Sequence, residues 1–306
     1  MTTSSKDNLS LVLLFGPTAV GKTDLLLQLF EGKGEVISAD SMQVYKGLDI
    51  GSAKPEPDYL KRLPHHLINI REPHQQFSTG DFVEETEKLL PEIYERGKIP
   101  VLSGGTAFYF RNFLFGLPDI PDIHRSYREE LNKELSEGSL QKLYDELCIC
   151  DPFSGSRLNS NDSSRIIRAL EVYRATGKPL SSYHLSNRMR DDYTIKIIGL
   201  ERDRDELYSR INRRVDIMFA QGLVEEIRKL IKEGVRSDFP AMKGIGYSEF
   251  FEMGRQGCLT LNDIKEKIKQ DSRRYAKRQI TFFKSLEGVK WYSPLDIEGI
   301  MREVYS

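Results

Sequence analysis

The stretch Ser10-Leu11-Val12-Leu13-Leu14-Phe15-Gly16-Pro17-Thr18-Ala19-Val20-Gly21-Lys22-Thr23-Asp24 decides the fold. Leu11 to Phe15 is a short unbroken apolar run of the kind that a strand buried on both faces requires. Gly16 to Thr23 matches G-x-x-x-x-G-K-[ST], and Asp24 to Phe30 continues at helical spacing. Strand, glycine-bearing loop and helix start together make a pyrophosphate cradle. The glycines let several backbone N–H groups aim at one anion, the helix dipole adds to them, and Lys22 brings a mobile point charge. The Thr23 hydroxyl can ligate Mg²⁺. An ordinary Gly-rich turn is the plain alternative, which the flanking strand and helix set aside. Nucleotide triphosphates and other diphosphate esters satisfy the same donors, so the loop alone does not choose the ligand.

Working outward, Glu35 to Asp40 reads as a second strand that ends on an acid. In open α/β sheets the chemistry gathers at the carboxyl ends of strands, which puts Asp40 beside the phosphate loop. There it can hold a cation or take a proton, and a turn or helix-cap aspartate is the equally weighted alternative. Tyr45 to Pro57 reads as a loop, His65 to Ile70 as a third strand, and Thr79 to Tyr94 as a helix capped by Ser78 or Thr79. Ile99 to Ser103 is a fourth strand, followed by Gly104-Gly105-Thr106 and an aromatic-rich helix. Repeated strand-then-helix units predict a parallel, doubly wound sheet.

Beyond Leu117-Pro118-Asp119-Ile120-Pro121 the texture becomes helical, at Arg125 to Leu135, Ser139 to Leu147 and Ser163 to Thr176, until a strand returns at Tyr193 to Leu200. The expected fold is therefore α/β: a P-loop NTPase-like parallel sheet with helices on both faces. Residues 1–117 and 193–306 form its core, and 118–192 a helical insertion domain. The last third reads as helices over Arg204 to Gln221, Val224 to Glu233, Tyr247 to Met253 and Asn262 to Glu287, then a closing strand Val289 to Tyr292. The long final helix opens on the capping-box match Thr260-x-x-Asp263. It interleaves Arg273, Arg274, Lys277, Arg278 and Lys284 with Tyr275, Phe282 and Phe283, a pattern suited to nucleic acid or, equally simply, to a solvated helix with an aromatic inner face.

Composition narrows the class. With 306 residues, 39% hydrophobic and 30% charged, the chain can build a real core and exceeds the usual single domain. A net charge of −1 conceals any local basic patch, so partners must be read from distribution. Cys148, Cys150 and Cys258 are odd in number and lack a C-x-x-C pair, which argues against a disulfide framework or a zinc site and for a reducing compartment. Met1 to Asn8 is polar and no run is long enough to span a bilayer, so a cytoplasmic protein without membrane attachment is expected.

Taken together, the motifs resemble the tRNA dimethylallyltransferases of bacterial type. The matching segments are Gly16 to Thr23, Ser38 to Tyr45 with Asp49 to Pro55, His65-His66-Leu67, Gly104-Gly105-Thr106, Asn161-Asp162 through Arg165 to Val172, Gly244 to Tyr247, and Arg273 to Gln279. They fall in the family's order over nearly the whole chain. The resemblance implies transfer of a dimethylallyl group from dimethylallyl diphosphate to N6 of adenosine 37 in tRNAs that read codons beginning with U. It also implies the anticodon stem-loop as acceptor, a monomeric enzyme and Mg²⁺ as cofactor.

The same resemblance assigns roles. Asp40 is the general base, with Lys22, Thr23 and Thr106 sharing the catalytic site. Gly16, Pro17, Thr18, Ala19, Val20, Gly21, Lys22 and Thr23 cradle the diphosphate with Arg210 and Arg214, and Thr23 takes the metal. Contacts to tRNA fall on Asp40, Ser41, Met42, Gln43, Thr106, Arg128, Ser164, Arg165, Ile166, Ile167 and Arg168. Further ones fall on Lys243, Gly244, Gly246, Tyr247, Lys277, Arg278, Gln279, Thr281 and Lys284. Three positions depart from the pattern: Met42 replaces a common arginine, Val20 a serine or alanine, and Phe108 a leucine. The chain ends at Ser306 without the zinc-finger extension of eukaryotic members. The rival readings are a P-loop small-molecule kinase, an adenylate isopentenyltransferase acting on free nucleotides, and an RNA-binding protein without catalysis. No acid of the kind a kinase needs follows Ile99 to Ser103, and the basic last helix favours a polynucleotide.

Overall fold

The computed structural model describes residues 10–183, 188–254 and 260–306; the polar start Met1 to Asn8 and Cys258 lie outside them. Six strands, β1 Ser10–Phe15, β2 Gly34–Ala39, β3 His65–His66, β4 Ile99–Gly104, β5 Thr194–Leu200 and β6 Lys290–Tyr292, form one sheet in the order β3-β2-β4-β1-β5-β6. Every pairing is parallel. The helices are α1 Lys22–Phe30, α2 Pro57–Arg62, α3 Thr79–Glu95, α4 Ala107–Phe115, α5 Arg125–Glu137, α6 Leu140–Cys150 and α7 Pro152–Arg157. They continue with α8 Ser163–Thr176, α9 Arg204–Ala220, α10 Leu223–Lys232, α11 Ser248–Gly254, α12 Leu261–Phe283 and α13 Ile297–Tyr305.

β1 is the central strand because its sequence tolerates nothing else. Leu11 to Phe15 are completely buried, with Val12 paired to Val101 on one side and Leu14 to Ile198 on the other. Phe15, its last residue, stacks on Phe283 of α12 at 4.3 Å between centroids and meets the edge of Phe110 of α4 at 5.1 Å. One ring thus fixes two helices over the carboxyl end of the sheet. Since β1 sits between β4 and β5 and the chain winds outward in both directions from it, the loops leaving β1 and β4 border the crevice where such sheets bind ligands.

The third strand is shorter than expected. Leu67 and Asn69 take left-handed φ values of 62° and 58°, which stops β3 after His66. The rest of the segment turns away and pairs with the loop after β2, Asn69 N–H donating to Gln43 O at 3.1 Å and Ile70 N–H to Val44 O at 2.8 Å. Ser78, not Thr79, caps α3, in a reciprocal capping box with Asp81. The box at Thr260 and Asp263 forms as well. α13 is an element that the sequence reading passed over. Its signal is present: Asp296 accepts from Gly299 N–H at 3.0 Å, and Ile300 and Val304, one turn apart, are buried in the same core as Leu25, Leu26, Leu29 and Phe30 of α1.

The chain separates into two compact units, Met1–Leu114 with Arg190–Ser306, and Phe115–Met189. At the division Arg190 N–H donates to Leu114 O at 2.8 Å, and its guanidinium lies 4.3 Å over the Phe113 ring. The second unit packs α5, α6 and α8 around Leu131, Leu143, Leu147, Ile166, Ile167 and Leu170. Arg174 of α8 clamps Glu134 and Glu146 at 2.6 Å each. Among the described residues no helix is long and apolar enough to cross a membrane.

At the amino end of the sheet, Glu35 is 5% exposed and accepts from Arg96 at 2.8 Å and from His66 at 2.7 Å. Beside it His65 donates from Nδ1 to Leu63 O at 2.8 Å, and burial pushes its imidazole from 6.5 down to about 4. Between those two pH values the unfolded chain binds a proton at this position and the native protein does not, so stability falls as pH drops from about 6.5 to 4. Urea midpoints should decline across that window in the wild type and less steeply in His65→Gln; parallel declines would remove His65 as the cause.

Candidate active site

The loop from Gly16 to Thr23 turns tightly, with Gly21 at φ 113° and Ala19 at φ 63°. Lys22 folds back over it, Nζ donating to Gly16 O at 2.9 Å and Pro17 O at 3.0 Å. α9 supplies the surrounding charge. Arg210 and Arg214, four residues apart and so on one helical face, donate to Ala19 O at 2.9 Å and to Thr18 Oγ1 at 3.3 Å. Both arginines therefore reach the loop, while Arg213 between them is exposed. Arg202, which the sequence reading did not single out, donates from Nε to Val20 O at 2.9 Å and pairs with Glu206.

This crowding of cations has an electrostatic price. Enclosure and the nearby Arg214 guanidinium push the Lys22 ammonium from 10.5 down to about 7, with Asp40 opposing them. Enclosure also lowers Arg214. A bound polyanion would relieve both, which is the electrostatic sense in which the loop is built to receive one.

Asp40 follows β2 directly. Its Oδ1 accepts from Met42 N–H at 2.8 Å and Gln43 N–H at 3.3 Å, an Asx-type turn that fixes the carboxylate. Thr106 Oγ1 accepts from Ser41 N–H at 3.0 Å while its own N–H donates to Ala39 O at 3.1 Å, so the ends of β2 and β4 are stitched together. Two phenols feel the same carboxylate. Burial, then Asp40, pushes Tyr275 up to about 12, and Tyr109 rises for the same two reasons. Gln279 completes the arrangement, accepting from Thr18 N–H at 2.9 Å and donating to Gly105 O at 2.8 Å. A Cβ on residue 105 would lie 2.4 Å from the Gln279 amide nitrogen, so that position accepts only glycine without a shift.

A further support comes from Glu226 of α10. Its carboxylate collects the N–H groups of Asp49 at 2.9 Å, Ile50 at 2.7 Å and Gly51 at 3.1 Å, and the Tyr247 hydroxyl at 2.8 Å. Tyr247 accepts in turn from Ser52 N–H at 3.1 Å. The Gln43 amide reaches Ser52 O and Ala53 O at 3.4 Å, which links this loop to the Asp40 turn. Glu226 was invisible to sequence reasoning because an acid on an amphipathic helix carries no motif.

Of the residues that the resemblance gave to tRNA, Arg128, Ser164, Arg165, Lys243, Lys277, Arg278, Thr281 and Lys284 are exposed, and Ser41, Met42 and Gln43 line the Asp40 turn. Arg168 pairs with Glu171 at 2.8 Å. Gly244 leaves room for Met42, whose thioether would be 2.4 Å from a Cβ there. Five of these residues are buried. Ile166 and Ile167 are 0% and 5% exposed in the core of the helical unit, Tyr247 is fully buried against Glu226, and Gln279 is 3% exposed with its amide spent internally. Gly246, also buried, has φ 95° and donates to Glu249 at 2.9 Å. As placed, these residues pack against or hydrogen-bond to their neighbours and are not exposed.

The site fits Mg²⁺ in one limited way. Among the described residues no group of three or more His, Cys, Asp or Glu could hold a metal. Thr23, by contrast, is exposed at the first turn of α1, and no hydrogen bond occupies its hydroxyl among the described residues. Such a site suits an ion that arrives with phosphate oxygens and keeps its waters, as Mg²⁺ does.

Removing the Gln279 amide leaves the half-buried Thr18 N–H unpaired and the buried Gly105 carbonyl with only the Tyr275 hydroxyl at 3.4 Å, a loss of about 1–3 kcal/mol for a buried group left unsatisfied. Gln279→Ala should lower the melting temperature and weaken diphosphate binding together. Lys22→Ala should weaken binding and leave the melting temperature unchanged or higher. Calorimetric titration with diphosphate and thermal melts of both variants separate the two effects; intact binding in Lys22→Ala would refute the cradle.

A family model described as IPP transferase matches residues 43–286. The chain is 42% identical over 293 residues to the tRNA dimethylallyltransferase of Geobacter sulfurreducens, covering 95% of this chain and 94% of that protein. It is likewise 42% identical over 288 residues to that of Anoxybacillus flavithermus, covering 93% and 90%. Among solved structures it is similar to the tRNA isopentenylpyrophosphate transferase of Bacillus halodurans, with a TM-score of 0.70, 39% identity and 97% of both chains covered. A eukaryotic dimethylallyltransferase acting on tRNA gives a TM-score of 0.75 at 27% identity, over 94% of this chain and 75% of that one. With the phosphate loop, the Asp40 turn and the α12 strut on one sheet edge, and relatives of this identity along almost its whole length, the chain belongs to the IPP transferase family of tRNA dimethylallyltransferases.

Proposed function

We propose that the protein transfers the dimethylallyl group of dimethylallyl diphosphate to N6 of adenosine 37 in tRNAs reading codons that begin with U, releasing diphosphate. The observation that carries this reading is a carboxylate facing an anion cradle: Asp40 is held by two backbone N–H groups within electrostatic reach of Lys22 and Arg214. A kinase reading finds no support in the loop after β4, which is Gly104-Gly105-Thr106 and carries no acid.

The chemistry follows from the charges. As N6 attacks the allylic carbon, the carbon–oxygen bond breaks and its electron pair leaves on the diphosphate, while the N6 proton passes to Asp40. Negative charge grows on the leaving group, so Lys22, Arg210, Arg214 and the loop N–H groups stabilise the transition state more than the bound substrate. Mg²⁺ at Thr23 would supply further neutralisation of the diphosphate. Adenosine 37 must leave its stack to reach Asp40, at an expense of a few kcal/mol. The exposed Arg128, Ser164 and Arg165 of the helical unit, and Lys243, Lys277, Arg278, Thr281 and Lys284 of the other, are proposed to hold the anticodon stem-loop through its backbone and unpaired bases. The enzyme acts as a cytoplasmic monomer in this reading.

The test is incubation with Mg²⁺, radiolabelled dimethylallyl diphosphate and unmodified stem-loops carrying A36 and A37, alongside an ATP control. Label should enter RNA and vanish when A37 is changed; phosphate transfer from ATP without labelled RNA would overturn the proposal. Asp40→Ala should lower turnover by about 10²-fold or more, the usual loss for a positioned base, with little change in diphosphate binding.

A further inference from the structure

On the outer face of α12 lies an open cleft of about 430 Å³ lined by Lys277, Arg278, Thr281, Phe282 and Ser285. Lys277 and Arg278 are exposed and, among the described residues, form no ion pair; the Arg278 guanidinium rests 5.7 Å over the Tyr275 ring. Against Phe282 stands Phe108 of α4, with ring centroids 5.1 Å apart and planes inclined by 44°. Phe108 is 53% exposed, although Tyr109, Phe110 and Phe113 on the same helix are 3%, 0% and 2% exposed. Those three satisfy the core, so packing does not account for an open aromatic ring at position 108. Its position is informative. Phe108 lies two residues beyond Thr106, which is bonded to the Asp40 turn, and α12 reaches the same loop through Gln279.

An exposed ring backed by a second ring, with two uncommitted cations in the adjoining cleft, has the chemistry of a stacking platform for single-stranded nucleic acid. An apolar peptide would use the rings and leave the cations idle. Thr281 and Ser285 donate their hydroxyl protons to Lys277 O at 3.0 Å and Phe282 O at 2.7 Å, which leaves their oxygen lone pairs to accept from a base. We propose that Phe108, supported by Phe282, stacks one unpaired base of the RNA loop that flanks the target adenosine, while Lys277 and Arg278 meet its phosphate. The inference rests on the tRNA reading above and adds Phe108 to the residues proposed to meet RNA.

The experiment compares wild type, Phe108→Ala and Phe108→Trp on anticodon stem-loops, with thermal melts to show that all three fold. Phe108→Ala should raise the RNA KM about 5- to 150-fold, the range expected for one stacked base. Turnover at saturating RNA should fall less than twofold, the dimethylallyl diphosphate KM should hold, and Phe108→Trp should restore RNA affinity. In wild type, one abasic position beside the target should reproduce the KM rise and add nothing further in Phe108→Ala. An unchanged RNA KM in Phe108→Ala, or losses that add at every loop position, overturns the stacking assignment while the transfer reaction stands. If wild type transfers no label to RNA, the functional reading itself has failed. Quenching of a 2-aminopurine loop then still decides the platform: quenching by wild type and not by Phe108→Ala supports it, and equal quenching or displacement by equimolar AMP overturns it.

Discussion

The side chain of Gln279 joins two loops that are far apart in sequence, taking the Thr18 N–H from 261 positions away and giving a hydrogen bond to Gly105 O. An amide is suited to this because one group both accepts and donates. One turn further along α12, Phe283 stacks on Phe15 at the end of β1. A polar bridge and an apolar stack thus fix the helix in rotation and in register, since a slip by one residue would bury a charge at 278 and expose the ring at 283. Every feature of the site inherits this constraint. The cradle keeps its shape because Thr18 is tethered, and Lys277, Arg278 and Thr281 face outward because Gln279 faces in.

Against this rigid frame the cradle is electrostatically unfinished. Lys22 and Arg214 both hold their protons less firmly than free side chains would, and Asp40 only partly compensates. Concentrating like charge in an enclosed loop disfavours the empty state, and the packing of β1 and its flanking core residues has to offset it. The return is that no reorganisation is needed when negative charge develops on a leaving group.

Much of this was legible from sequence, for identifiable reasons. The β1 run, the G-x-x-x-x-G-K-T loop and the capping signals at Ser78 and Thr260 are local, and local rules place them. α8 formed over Ser163–Thr176 as expected, because Asp162 caps it and Gly177 at φ 70° ends it. What the sequence does not reveal is burial within motifs. Ile166, Ile167, Tyr247 and Gln279 stand in segments that mix exposed and buried residues, and a segment-level resemblance cannot say which side chains turn inward. β3 was overextended for a related reason: Leu67 and Asn69 have strand-like neighbours, and only tertiary pairing with Gln43 and Val44 shows that the chain turns there.

Two loops of the core unit differ in how they are held. After β1, among the described residues, no carboxylate accepts from the Gly16 to Thr23 loop, whose Thr18 N–H donates to Gln279. After Leu48, the N–H groups of Asp49, Ile50 and Gly51 converge on the Glu226 carboxylate, which supplies an anion from within the protein. Similar backbone chemistry serves opposite ends. The filled loop is locked before any substrate arrives, and through Ser52 and Gln43 it hands that order to the turn that holds Asp40. In the proposed reaction the Asp40 carboxylate is thereby preorganised from within, and only the leaving-group cradle depends on an external anion. An arrangement of this kind lets the base hold a single position whether or not the diphosphate is bound, which two-substrate transfer requires when the allylic carbon must sit between them.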